Sequence, residues 1–171
     1  MANHVHLVAV PTGAEGLRLG IAEAHRRYSR RVNVREGWRG HLWQGRFASF
    51  VMDEPYLLAA VRYVQRNPVR AGLCRQAWDW PWSRAAAHVG GQDDGLVRVG
   101  PMRRRVKDWR RDLQGTDDDE LARSLRRHEA TGRPLGDETF LERLEGVLGR
   151  ALRPKKRGPK PRRTSRQVRC P

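Results

Sequence analysis

The sequence predicts an α+β fold, and three observations carry that prediction. Two stretches, 4–10 and 41–53, have the residue choice and alternation of short strands. Two others, about 14–31 and 55–67, repeat apolar residues at spacings of three and four, the period of a half-buried helix. Proline and glycine clusters separate them, as turns would.

The elements follow in chain order. Val5, Leu7 and Ala9 alternate with His4, His6, Val8 and Val10 ahead of Pro11, which reads as a strand buried on at least one face. Beyond the Pro11-Thr12-Gly13 turn, the helix expected over 14–31 bears the stripe Leu17, Ile21, Ala24 and Tyr28, with Arg18, Arg26, Arg27, Arg30 and Arg31 largely elsewhere on it. NVREGWRGH is turn-like, and HLWQGRFASFVMD predicts a second strand with Gly45 as a bulge. Asp53 or Glu54 can cap the next helix, about 55–67, with Pro55 in its first turn, where a missing N–H costs little. One stripe of that helix is Leu57, Val61 and Val64; the other is Tyr56, Ala60, Tyr63 and Asn67. Pro68 disfavours helical backbone at Asn67, so the helix is expected to end there. The three tryptophans of WDWPWS are expected to plug the side of the core.

From about residue 93 the character changes. Thr116 and Asp119 resemble a capping box for a helix over 117–130 that Gly132 stops. Asp137 can cap another, with Phe140, Leu141, Leu144, Val147 and Leu148 on its buried face. A helix-turn-helix and a plain helical hairpin both satisfy this pattern. The expected division is a core over 1–92, a helical extension over 93–151 and a disordered basic tail over 152–171.

Charge follows the same division. The chain of 171 residues carries 35 Lys and Arg against 19 Asp and Glu. The net charge is +7 over 1–92, zero over 93–151 and +9 over 152–171. Such a balance favours a polyanionic partner, nucleic acid first. Lys155, Lys156, Arg157, Lys160, Arg162 and Arg163 are the candidate phosphate contacts in the tail; Arg46, Arg62, Arg66 and Arg70 are those in the core. Cys74 and Cys170 make no disulfide framework, which fits a reducing cytoplasm. No apolar run is long enough to span a membrane.

Two constellations carry chemistry. In a strand, His4 and His6 would present their imidazoles on one face, a spacing suited to two ligands of one metal ion or to two solvated side chains. On a helix, Tyr63 and Asn67 lie one turn apart on one face. Asn67 can add a hard carbonyl oxygen to two imidazoles, a donor set for Mg²⁺ or Mn²⁺. A tyrosine, with an ordinary pKa near 10, becomes a nucleophile once a neighbouring cation stabilises its phenolate. The bland alternative for Tyr63 is a core aromatic.

His4-Val5-His6 with LVAVP, then GHLWQGRF, YLLAAVRYVQRNPVRAGL and WDWPWS, in that order over about residues 1–90, resemble the single-tyrosine HUH transposases, and most nearly their REP-associated branch. The segment 131–158 also resembles the C-terminal extension of some members. The resemblance implies a ferredoxin-like core, an antiparallel sheet with helices on one face. It implies Tyr63 as nucleophile and His4, His6 and Asn67 as ligands of Mg²⁺ or Mn²⁺, with Asn67 standing where many relatives have Gln. The implied activity is cleavage and rejoining of single-stranded DNA, from hairpin-forming repeats, through a 5′-phosphotyrosine. In the family a strand, a helix and the first part of the HUH strand precede the histidines. Met1 falls on an internal methionine of that pattern, so the expectation is a truncated core, with a non-catalytic DNA-binding remnant as the alternative.

Overall fold

The computed structural model describes residues 4–116 and 118–153. Among the described residues, seven helices follow one another: α1 (Gly16–Glu36), α2 (Glu54–Arg70), α3 (Ala85–Gly90), α4 (Gly100–Arg103), α5 (Trp109–Gln114), α6 (Asp119–Thr131) and α7 (Glu138–Leu148), with a 3-10 turn at Ala77–Asp79. Helix accounts for 54% of the described residues and strand for 1%.

The α+β expectation is therefore wrong, and with it the ferredoxin-like sheet. Alternating residues become a strand only when a neighbour supplies the ladder hydrogen bonds, and residues 4–10 have no such neighbour among the described residues. Their apolar side chains stay in water: Val5 and Leu7 are each 68% exposed and Val10 is 89% exposed. The second predicted strand bends over 42–46. Its one pairing is a parallel bridge, Met52 with Leu135, closed by Leu135 N–H donating to Val51 O at 2.9 Å and Asp53 N–H to Leu135 O at 3.1 Å. The bridge joins 51–53 to the loop before α7, not to the histidine segment.

Helix ends follow local chemistry more closely. Asp53 caps α2, its carboxylate accepting from the Tyr56 N–H at 3.1 Å. The same carboxylate accepts from the Asp137 N–H at 2.9 Å, and Asp137 in turn caps α7 by accepting from the Phe140 N–H at 2.7 Å. Asp118, not Thr116, caps α6, and left-handed Gly132 (φ 66°) ends it. Pro68 does not stop α2 at Asn67; the helix continues to Arg70 and closes through Gly72 (φ 68°). Helix α1 likewise outruns its predicted end, to Glu36, where Gly37 (φ 66°) stops it.

Two apolar clusters flank α2. Val61 packs with Ala77, Ala85, Trp109 and Leu113 on one side. Ala60 packs with Leu125 and Leu135 on the other, where Tyr56, Tyr63, Phe50 and Met52 close around them. Helix α2 thus contacts the 3-10 turn, α5 and α6, so residues beyond 93 pack against it. Of the three tryptophans, Trp78 packs on the first cluster while Trp82 is 84% exposed, so only part of the plug exists. On α7, Val147 (78%) and Leu148 (51%) are exposed, contrary to the expected buried face. On α1, Tyr28 of the expected stripe is exposed, and Val32 is the buried residue. No described helix is long and apolar enough to cross a membrane.

Candidate tyrosine site

The site grows from the last two turns of α2. Positions 63, 67 and 70 recur at spacings of four and three, so Tyr63, Asn67 and Arg70 share one helix face. The Arg70 guanidinium lies 3.7 Å from the centroid of the Tyr63 ring, a cation–π contact. It also donates to the Asn67 side-chain oxygen at 3.0 Å.

Two other segments converge on this face. The His4 and His6 rings stand edge to face with centroids 4.9 Å apart, and His6 meets Tyr63 in the same manner at 6.3 Å. From α6, Arg126 Nε donates to the Tyr63 hydroxyl at 3.4 Å, a long bond on an exposed side chain. That bond raises the Arg126 pKa, since the guanidinium gains a partner. Burial lowers His6 below its ordinary range; Glu129 opposes this, while His4 and Arg70 reinforce it. The His6 imidazole is accordingly held toward its neutral form, the form in which a histidine can accept a proton or ligate a metal.

Tyr63 is half-buried, its ring against the Ala60 cluster and its hydroxyl turned to Arg126. One guanidinium thus lies beside the tyrosine oxygen and a second over its ring. Both cations can also pair with a phosphate.

The predicted site residues divide three ways. His4, His6 and Tyr63 come together although nearly 60 residues of chain separate them. Asn67 is on the same face, but its oxygen is turned to Arg70. Among the described residues, no group of three His, Cys, Asp or Glu side chains converges as a metal cluster. Arg62 and Arg66 are tied to the fold: Arg62 donates to Thr116 O at 2.7 Å and pairs with Asp112, and Arg66 donates to Leu113 O. Both tie α2 to the α5 segment. Arg46 is exposed in the loop before α2. Lys155, Lys156, Arg157, Lys160, Arg162 and Arg163 lie outside the described residues.

Arg126 and Glu129 are the residues that sequence reasoning missed. Both belong to α6, and no local pattern ties them to Tyr63 or His6; only the α2–α6 packing does. Comparison with protein-family models, with curated proteins and with solved structures finds no match.

Proposed function

We propose that the chain is a DNA strand transferase whose nucleophile is Tyr63. The observation that carries this is the convergence of two histidines and two arginines on one half-buried tyrosine. In the proposed step the Tyr63 oxygen attacks a phosphodiester of single-stranded DNA. The new bond joins tyrosine oxygen to phosphorus, and the phosphorus–O3′ bond breaks. The proton lost by the phenol ends on the leaving 3′-oxygen, so the products are a 5′-phosphotyrosine and a 3′-hydroxyl. Because one ester replaces another, the hydroxyl can reverse the step and rejoin strands without a further energy source.

Each neighbour has a part. Arg126 stabilises charge on the attacking oxygen, and Arg70 fixes the ring while lending positive charge to the phosphate. The donor set fits a hard divalent ion: paired imidazoles, one favoured in its neutral form, and a neutral amide oxygen. His4, His6 and Asn67 would hold Mg²⁺ or Mn²⁺, which when bound supplies Lewis-acid polarisation of the phosphoryl oxygens.

A second function, binding DNA without cutting it, is favoured by one observation: Arg70 already occupies the Asn67 oxygen. One experiment separates the two. The full chain is incubated with Mg²⁺ or Mn²⁺ and 3′-labelled single-stranded hairpin DNA, then run on a denaturing gel. Label travelling with the protein, lost in Tyr63→Phe, supports strand transfer. Label bound only under native conditions leaves the binding protein.

A further inference from the structure

Helix α1 stands apart from the tyrosine site and shows a second chemistry. Over Glu23–Glu36 the arginines fall at 26, 27, 30, 31 and 35. At 100° per residue these five cover about half of the helix circumference. The opposite half holds the buried Val32 and His25, whose ring stacks on Trp43 with centroids 3.9 Å apart. Val32 and the His25–Trp43 stack are therefore turned inward and the arginine side outward, with Tyr28 exposed between them. Arg26, Arg27, Arg30, Arg31, Val34 and Arg35 line one shallow groove of about 710 Å³.

Not all five charges are spent inside the chain. Glu23 serves both Arg26 (2.8 Å) and Arg27 (2.6 Å), and Glu36 pairs with Arg35. The two arginines push the Glu23 pKa down to about 2, so it stays charged beside them. Among the described residues, no hydrogen bond or ion pair engages Arg30 or Arg31. A groove holding five cations against two anions has a net attraction for a polyanion.

We propose that the arginine face of α1 docks double-stranded nucleic acid through its phosphates. The geometry selects this partner over its competitors. From Arg26 to Arg35 the stripe is about 14 Å long at 1.5 Å per residue, enough to cross a groove about 12 Å wide and meet phosphates on both sides. A single strand would call for exposed rings on which to stack its bases, and no aromatic side chain lines the groove. An anionic membrane would call for an apolar face beside the charges, and Val34 is the one apolar residue there. This surface does not depend on the Tyr63 chemistry.

The test compares the full chain with Arg30→Ala/Arg31→Ala. The probes are a labelled duplex of about 20 base pairs, a single strand of equal length and phosphatidylserine vesicles, each over a salt series. At about −0.9 in log K per log salt for each phosphate neutralised, losing two contacts flattens the duplex slope by about 1.8. The control, Lys107→Ala/Arg111→Ala, removes the same charge from outside α1 and is expected to change the slope less. Both side chains of the test variant are exposed, so helix content by circular dichroism should hold. A slope unchanged by the α1 pair, or changed equally by the control, overturns the proposal. So does a loss confined to the single strand or to the vesicles.

Discussion

The guanidinium of Arg70 lies 3.7 Å from the centroid of the Tyr63 ring, and the same group holds the oxygen of Asn67. One side chain thus restrains both the proposed nucleophile and the proposed amide ligand. Arg70→Ala should release both, slowing formation of the covalent adduct and altering its dependence on Mg²⁺ concentration. An adduct rate that falls with no change in metal dependence would place Arg70 on the phosphate alone.

Arg126 makes a different prediction. Its bond to the Tyr63 hydroxyl is long, so its loss should cost about tenfold in adduct rate, less than the 10²–10³ typical of a well-formed charge-stabilising donor. Single-turnover rates for Arg126→Ala and Arg126→Lys would measure it. Lysine keeps the charge and should recover part of the loss; if alanine and lysine are equally slow, geometry and not charge matters.

Tyrosine choice is tested beside it. Tyr63→Phe should abolish the adduct while DNA binding survives, and Tyr28→Phe and Tyr56→Phe should retain it. If Tyr56→Phe is the inactive variant, the nucleophile lies on the other face of α2.

The carboxylate of Asp53 accepts from the Tyr56 and Asp137 backbone N–H groups, joining the starts of α2 and α7. Asp53→Ala leaves two donors without that partner and should cost about 1–2 kcal/mol, read from urea unfolding midpoints. Asp53→Asn keeps an acceptor and should cost less.

Asp137 supplies a pH dependence. Hydrogen bonds from Thr139 and from the Phe140 N–H hold its pKa below the ordinary value. A carboxylate with a lowered folded pKa contributes stability above its unfolded pKa, about 4, and loses that contribution as pH falls through the folded value. Thermal melts between pH 6 and acid should show a smaller decline for Asp137→Asn than for the parent chain; parallel declines would remove Asp137 from the account.

Helix boundaries were legible in the sequence where a single side chain decides them. Asp53, Asp137 and Gly132 stand at the ends that they predict, because capping is local chemistry. The strands were not legible for the opposite reason. Val5, Leu7 and Ala9 have strand-like spacing, but spacing cannot say whether another strand lies alongside, and here none does among the described residues. At the site, Tyr63 and Asn67 share a face through helical period alone. Arg126 could not be found that way, since 63 residues separate it from the hydroxyl that it touches. The bonds of Arg62 and Arg66 to backbone carbonyls were not legible either, because a cation on a helix looks the same in sequence whether it faces solvent or a neighbour's carbonyl.

Pro68 lies inside α2, between Asn67 and Arg70. Having no N–H, it cannot bond back to the Val64 carbonyl, so one rung of the helix is missing in the turn that carries these side chains. The rest of α2 is clamped by two apolar clusters and by the arginine ties to α5. The end of the helix is held by Val69 on the first cluster and by the Ala71 and Leu73 N–H groups, which donate to Asn67 O and Pro68 O. The missing rung leaves the Val64 carbonyl without its helical donor, in the turn that joins the nucleophile to Arg70.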